Sequence, residues 1–319
     1  METKFVGISV LITGSTGFIG SHLTRALVLR GARAHLVVRP NTTLWRIHDI
    51  LDRVTLHYAD ILDYKALLQI AKNVNPIKVF HLASMVNAER RFDLLTEMVK
   101  VNIQGTANLL LALQDTPIDC VINTGTCEEY GINQAPFVEN QREKPVSPYS
   151  VTKVASTHIA QMMYRVSNFP VITVRPFLTY GPAQKDNMFI PALINAALLG
   201  KQFDMTSGEQ TREFNYVSDI VDGYLKAATT PGALGEVVNL GNGVEYKISE
   251  VAYLIMELVG KTINLNLGAL PYRPGEVMHF YSQPKKAMEL LQWKPKINLK
   301  QGLIRTIEWY KKYWSMNNV

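Results

Sequence analysis

Short β-branched apolar runs alternate with amphipathic stretches through the first half of the chain. Such runs suit parallel strands buried on both faces, and the stretches between them suit covering helices. Strands are predicted at Ile8–Thr13, Ala34–Val38, Val54–His57, Lys78–Ala83, Cys120–Thr124 and Val171–Arg175, with helices near 18–30, 63–73, 92–115 and 149–167. Short crossovers between sequential parallel strands run right-handed, so the expected fold class is α/β with a doubly wound parallel sheet. After about residue 176 the texture changes. Pro176, Pro182 and Pro191 fall close together, a helix is expected near 188–200, and shorter fragments follow. No Gly/Ser linker or internal repeat interrupts the chain. The reading is a first domain of residues 1–176, joined by returning segments near 214–242, and a smaller carboxy-terminal α/β lobe over the rest of 177–319. The cleft between them is the expected ligand site.

Composition narrows the class. With 47% hydrophobic and 19% charged residues among 319, the chain can bury a substantial core, which excludes disorder. Two cysteines, Cys120 and Cys127, exclude a disulfide framework and fit a reducing, cytoplasmic setting. The formal charge of +6 is scattered, with no basic run longer than a pair. That predicts no nucleic-acid partner and suits a small anionic ligand. Phe5 to Thr24 is free of formal charge, but Gly7, Gly14, Gly17 and Gly20 break it as a spanning helix would not. No membrane partner is expected. Seven histidines show no zinc-type spacing, so no metal site is expected, and the Gly-x-Ser-x-Gly elbow of hydrolases is absent.

The segment Val10 to Gly20 runs from a strand through Thr13-Gly14-Ser15-Thr16-Gly17 into a helix. The next strand ends about thirty residues on, as in a dinucleotide-binding βαβ unit. Gly14 permits the turn, Gly17 lets backbone approach a pyrophosphate, and Gly20 lets helix pack on strand. Thr16, Phe18 and Ile19 complete the cradle, and the helix N-terminus offers free N–H groups to phosphate. An acidic residue at the end of the second strand commonly holds the ribose of NAD. Arg39 stands there instead, which favours NADP through a 2′-phosphate and leaves NAD open.

Ser147-Pro148-Tyr149-Ser150-Val151-Thr152-Lys153 opens the helix after the Cys120–Thr124 strand. Tyr149 and Lys153 are four apart and share a helical face. An ammonium beside a phenol stabilises the phenolate, so the pair reads as a base whose pKa is drawn toward neutrality.

Together these segments resemble the extended short-chain dehydrogenase/reductase superfamily, in its nucleotide-sugar epimerase/dehydratase branch. The resemblance covers nearly the whole chain. It includes the glycine turn, Ala59-Asp60-Ile61, His81-Leu82-Ala83-Ser84, Val101 to Thr106 with Asn102, and the Tyr149/Lys153 pair. It continues through Ser207 to Phe214, Arg273-Pro274-Gly275-Glu276 and Leu291-Gln292-Trp293-Lys294-Pro295. It implies a Rossmann domain holding NAD or NADP, with Asp60, Ile61, Leu82, Ala83, Ser84, Asn102, Tyr149, Lys153 and Pro176 lining the cofactor. It also implies a nucleotide-diphospho-sugar substrate met by Ser84, Thr126, Tyr149, Leu178, Arg212, Arg273 and Glu276, and a homodimer. Thr126 takes the Ser/Thr role beside Tyr149, and Arg212 and Arg273 grip the diphosphate.

The reaction stays open at three outcomes after transient oxidation at sugar C4. Simple 4-epimerases resembling this chain carry inert residues where it has Cys127 and Glu128. Those two match an acid and base for elimination, as in 4,6- or 5,6-dehydratases; otherwise Cys127 is a packing residue and Glu128 or Glu129 a solvated loop carboxylate. Leu178 replaces a common asparagine in Arg175-Pro176-Phe177-Leu178-Thr179-Tyr180-Gly181-Pro182, leaving the nucleotide base open. Epimerisation is placed first, dehydration second and NADPH-dependent 4-keto reduction third, with a non-catalytic NAD(P)-binding protein as the remaining alternative.

Overall fold

The computed structural model describes residues 2–317. Strand and helix alternate through β1 (Ser9–Thr13), α1 (Phe18–Leu29), β2 (Arg33–Val38), β3 (Val54–Tyr58), α2 (Tyr64–Val74), β4 (Lys78–His81), α3 (Leu95–Met98), α4 (Gly105–Ala112), β5 (Cys120–Thr124), α5 (Pro148–Ser167) and β6 (Val171–Pro176). Shorter elements follow: β7 (Thr179–Tyr180), α6 (Phe189–Leu199), β8 (Phe203–Met205), β9 (Thr211–Glu213), β10 (Asn215–Tyr216), α7 (Val217–Ala227), β11 (Val237–Leu240), β12 (Glu245–Lys247), α8 (Ile248–Val259), β13 (Leu265–Leu267), β14 (His279–Phe280), α9 (Lys285–Leu291) and α10 (Leu299–Asn317).

Seven parallel strands form one sheet in the order β11-β6-β5-β4-β1-β2-β3. The strand order reverses between β1 and β4, and their carboxyl ends open the crevice in which such sheets bind ligands. Core residues of β1, β5 and β6 are shielded on both faces: Val10, Ile12, Ile122 and Val174 belong to the cluster under α1 and α7, Leu11, Val121 and Val171 to the one under α2 and α4. A third cluster, built from Leu193, Ile194, Val251, Ile255, Leu303 and Ile307, lies among α6, α8 and α10. A small sheet, β12-β9-β14, carries Arg212.

Two expected elements differ. The strand predicted over Lys78–Ala83 ends at His81. Leu82 N–H still donates to Thr13 O, but Ala83 N–H turns to the Thr13 hydroxyl and Met85 is captured by Asn102, so the chain leaves the sheet. The helix predicted over 92–115 is helical from Phe92 to Ala112, with a π-helical turn at Val99–Gln104. Asn102 sits in that turn, buried, and π turns recur at functional sites. No helix among the described residues is long and apolar enough to cross a membrane.

Candidate active site

The glycine turn closes as a tight loop, with Gly17 N–H donating to Gly14 O at 3.0 Å. Gly14 has φ +71°, and a Cβ there would lie 2.5 Å from the Leu82 carbonyl carbon. A Cβ on Gly20 would lie 2.0 Å from Gly14 O, so helix and turn touch only because Gly20 has none. Gly17 caps α1 without a side-chain bond, and no acid occupies the first turn, which leaves its N–H groups to an anion. The buried Ser15 hydroxyl has no protein partner. A cradle that any Cβ would fill, beside an uncapped helix and an unsatisfied hydroxyl, fits a dinucleotide pyrophosphate. Thr16, Phe18 and Ile19 are half-buried around it, and Thr16 O accepts from Arg46.

The residues expected around the rest of the cofactor are placed unevenly. Arg39 follows β2 directly, exposed, and makes no ion pair among the described residues. Asp60 spends one carboxylate oxygen on Leu62 N–H at 2.8 Å. The Ile61 side chain is core, pressed where a Gly105 Cβ would sit. Leu82, Ala83 and Ser84 line the exit from β4, and Pro176 ends β6; all are half-buried. Asn102 works on its neighbours: its carbonyl accepts from Ser84 Oγ and Met85 N–H, and its amide donates to Met85 O and the Thr152 hydroxyl. It clamps the β4 exit to α5. Beneath lies His81, unflagged as chemistry by the sequence. Thr106 donates to Asn102 O, so its hydroxyl accepts from His81 Nε2, while Nδ1 takes the Thr13 hydroxyl at 2.7 Å. Burial, then the Lys153 charge, pushes this imidazole down to about 3, so it is neutral.

Ser147 caps α5 in a reciprocal pair with Ser150, and Pro148 takes the first helical position, fixing where Tyr149 begins the helix. Tyr149 and Lys153 are both buried. Thr126 lies just beyond β5 and caps the short turn Cys127–Tyr130. Its hydroxyl stands beside the Tyr149 phenol, close enough to act against the upward shift of that group. The structure thus brings Thr126, Tyr149 and Lys153 together.

The expected direction of the phenol's shift is corrected. Burial pushes Tyr149 up, and the nearby Cys127, Glu128 and Glu129 push it further, against the Thr126 hydroxyl. Lys153 is itself lowered to about 8 by burial, with Glu129 opposing the drop. In the protein by itself, desolvation of the ring dominates the shift.

Cys127 is buried beside Tyr130, Phe137, Phe177 and Phe280, with Leu178 packed on the same cluster. Burial, then Glu128 and Glu213, raises its thiol well above the usual range, so the sulfur keeps its proton. Glu128 is half-buried and no hydrogen bond to its carboxylate exists among the described residues. Burial raises it, while Arg273, Arg212 and Arg90 draw it back. A solvated carboxylate at Glu129 is excluded, because Glu129 is fully buried and ion-paired to Arg175 at 2.6 Å.

Arg212, Arg273 and Glu276 form one group. Glu276 pairs with the Arg212 guanidinium and, at 3.1 Å, with Arg273 Nε, and Arg212 also donates to Val277 O. Arg90, which sequence reasoning passed over, donates to Gly275 O at 3.0 Å from the segment after β4. The basic pair Arg90-Arg91, shortly after His81-Leu82-Ala83-Ser84, was the available signal. Among the described residues no three or more His, Cys, Asp or Glu side chains could hold a metal.

The family model for GDP-mannose 4,6 dehydratase matches residues 11–306. The chain is 32% identical to a UDP-N-acetyl-alpha-D-glucosaminuronate decarboxylase of Bacillus cytotoxicus, over 94% of this chain and 97% of that one. It is 29% identical to a dTDP-glucose 4,6-dehydratase of Haemophilus influenzae, over 95% and 98%. The crystal structure of the UDP-glucuronic acid 4-epimerase of Bacillus cereus, in complex with UDP-glucuronic acid and NAD, superposes with a TM-score of 0.86 at 28% identity, covering 95% of this chain and 99% of that one. Matched almost end to end in sequence and in fold, with the glycine cradle and the Tyr149–Thr126 contact in place, the chain belongs to the extended short-chain dehydrogenase/reductase family of NAD-dependent nucleotide-sugar epimerases and dehydratases.

Proposed function

We propose that the chain is a nucleotide-sugar 4-epimerase that oxidises the C4 alcohol of a nucleotide-diphospho-hexose and reduces it again. The observation that carries this is the buried Tyr149 phenol set beside the Thr126 hydroxyl, one helical turn before Lys153 and at the carboxyl edge of the sheet. Bound against these residues, an oxidised nicotinamide supplies a two-electron acceptor for the C4 hydrogen and a positive charge beside the phenol. Gly14, Gly17 and Gly20 hold the pyrophosphate, and Lys153 holds the adjoining ribose. Thr126 receives the substrate C4 hydroxyl and passes its proton to Tyr149. Because burial keeps Tyr149 protonated, the phenolate forms only when a cationic neighbour compensates it. Epimerisation then requires the 4-keto sugar to turn over in the cleft before Tyr149 returns the proton to C4 oxygen. Arg212 and Arg273 grip the diphosphate so that the hexose alone turns, with Glu276 holding both guanidiniums in place.

Elimination is a second reading, and Glu128 favours it. A carboxylate free of hydrogen bonds, acting electrostatically on Tyr149 and set among Arg90, Arg212 and Arg273, can take the acidified C5 proton of a 4-ketose. Cys127 is its protonated companion. At the adenosine end, the unpaired Arg39 supports acceptance of a 2′-phosphate, so NADP binding is proposed beside NAD. A homodimer is proposed through α5, whose Val151, Met162 and Val166 are exposed along one side.

Incubation with UDP-, dTDP-, CDP- and GDP-hexoses, with products resolved by NMR, tests the reading. Interconversion of C4 epimers, retained in Glu128→Gln, is the expected outcome. A 4-keto-6-deoxy or 5,6-unsaturated product that disappears in Glu128→Gln replaces epimerisation with elimination.

A further inference from the structure

Glu129 is a fully buried acid near the proposed reaction centre, and no step of the mechanism uses it. Its carboxylate is fully bonded. Oε1 accepts the Thr126 backbone N–H at 2.8 Å, while Oε2 accepts the Thr157 hydroxyl at 3.0 Å and the Arg175 guanidinium through Nε and Nη2 at 3.0 and 2.6 Å. Gly125 makes room for it, since a Cβ there would lie 2.6 Å from Oε1. Arg175 in turn reaches Glu143 and lies over the Tyr130 ring. Each bond comes from a different element: the β5 exit, α5 and β6.

We propose that Glu129 is a positioning residue, fixing the Thr126 backbone against Tyr149 and supplying the buried counter-charge for Lys153. Tyr149, Lys153 and Thr157 follow one another at four-residue spacing along one face of α5, so the helix face that carries the phenol and the amine ends on this carboxylate. Thr126 receives the carboxylate on its backbone and has the phenol beside its side chain, so a shift of Glu129 moves the hydroxyl that Tyr149 uses. The titratable groups that act with Lys153 are Glu129 from the turn after β5 and His81 from β4, and Tyr149 lies one turn before it on the same helix. His81 is neutral, the phenol is protonated, and Glu129 alone opposes the loss of the ammonium. The inference rests on Tyr149, Thr126 and Lys153 being the proton-handling group.

Two variants separate charge from position. Glu129→Gln keeps an oxygen for Thr126 N–H and removes the charge; Glu129→Asp keeps the charge and withdraws it by one methylene. The full-length protein labelled with 13Cε-lysine, the Lys153 signal assigned by its absence in Lys153→Met, reports the amine's midpoint by NMR without turnover. The parent midpoint is expected near pH 8, and Glu129→Gln is expected to lower it by about one pH unit or more. Glu129→Asp is expected to keep the midpoint and to lose about tenfold in kcat with KM unchanged, within the range that positioned acid–base groups contribute. An unmoved midpoint in Glu129→Gln, or parental kcat in Glu129→Asp, overturns the proposal; should Glu129→Gln not fold, Glu129→Asp still decides. If the parent turns over no nucleotide sugar, the functional reading fails while the midpoint comparison still reads the counter-charge.

Discussion

Replacing Lys153 with methionine should stabilise the protein at neutral pH while abolishing its turnover. The amine is buried, with no hydrogen-bond partner among the described residues. Its pKa falls from 10.5 to about 8, chiefly through burial. At about 1.4 kcal/mol per unit, holding the ammonium inside costs at most about 3 kcal/mol at pH 7. The sign follows from proton counting. Between pH 8 and 10.5 the unfolded chain binds the extra proton, so parental stability rises with pH across that window. Below pH 8 both states are protonated and the cost is present in full. Methionine matches the stem and removes the charge. Urea unfolding followed by tryptophan fluorescence, at pH 7 and pH 10, measures the difference. The variant should exceed the parent by about 2–3 kcal/mol at pH 7, and by less than about 1 kcal/mol at pH 10. A gap that is absent at pH 7, or that widens toward pH 10, refutes the buried-ammonium argument.

Gly20→Ala forces a methyl to 2.0 Å from Gly14 O, where only backbone can give way. It should cost about 1–3 kcal/mol of stability and weaken NAD binding at least about tenfold by calorimetry, one such factor being about 1.4 kcal/mol; affinity equal to the parent's would show that the cradle is not used. Arg212→Met leaves Glu276 with only Arg273, so KM for a nucleotide-diphospho-hexose should rise about tenfold or more while NAD affinity holds. Loss of NAD binding in that variant would place the diphosphate grip wrongly.

Much of the frame was legible because it rests on local rules. Strands β1, β4, β5 and β6 are short apolar runs whose burial on both faces leaves no alternation to misread, and Gly14, Gly17 and Gly20 declare a turn that only glycine can make. Tyr149 and Lys153 were visible by helical spacing alone. What escaped depends on contacts between distant segments. Glu129 follows Glu128 in a loop and looks equally wet, but Arg175, 46 residues on, draws it into the interior. Asn102 belongs to a helical stretch by pattern, and the π turn that buries it leaves no mark in the apolar periodicity. Arg90 joins Arg212 and Arg273 only because the fold brings Gly275, 185 residues on, within reach of its guanidinium. The direction of the Tyr149 shift was misread for the same reason: charge spacing along a helix is written in the sequence, and desolvation of the ring is not.

The most direct test of the central claim compares Tyr149→Phe with the parent on the same nucleotide hexose carrying deuterium at C4, with conversion followed by NMR. The account predicts that the parent shows a primary isotope effect and that the phenylalanine variant, still folded and still binding NAD, is slower by about 10²–10⁴-fold. Equal rates in the two proteins, or conversion indifferent to the C4 label, would contradict it.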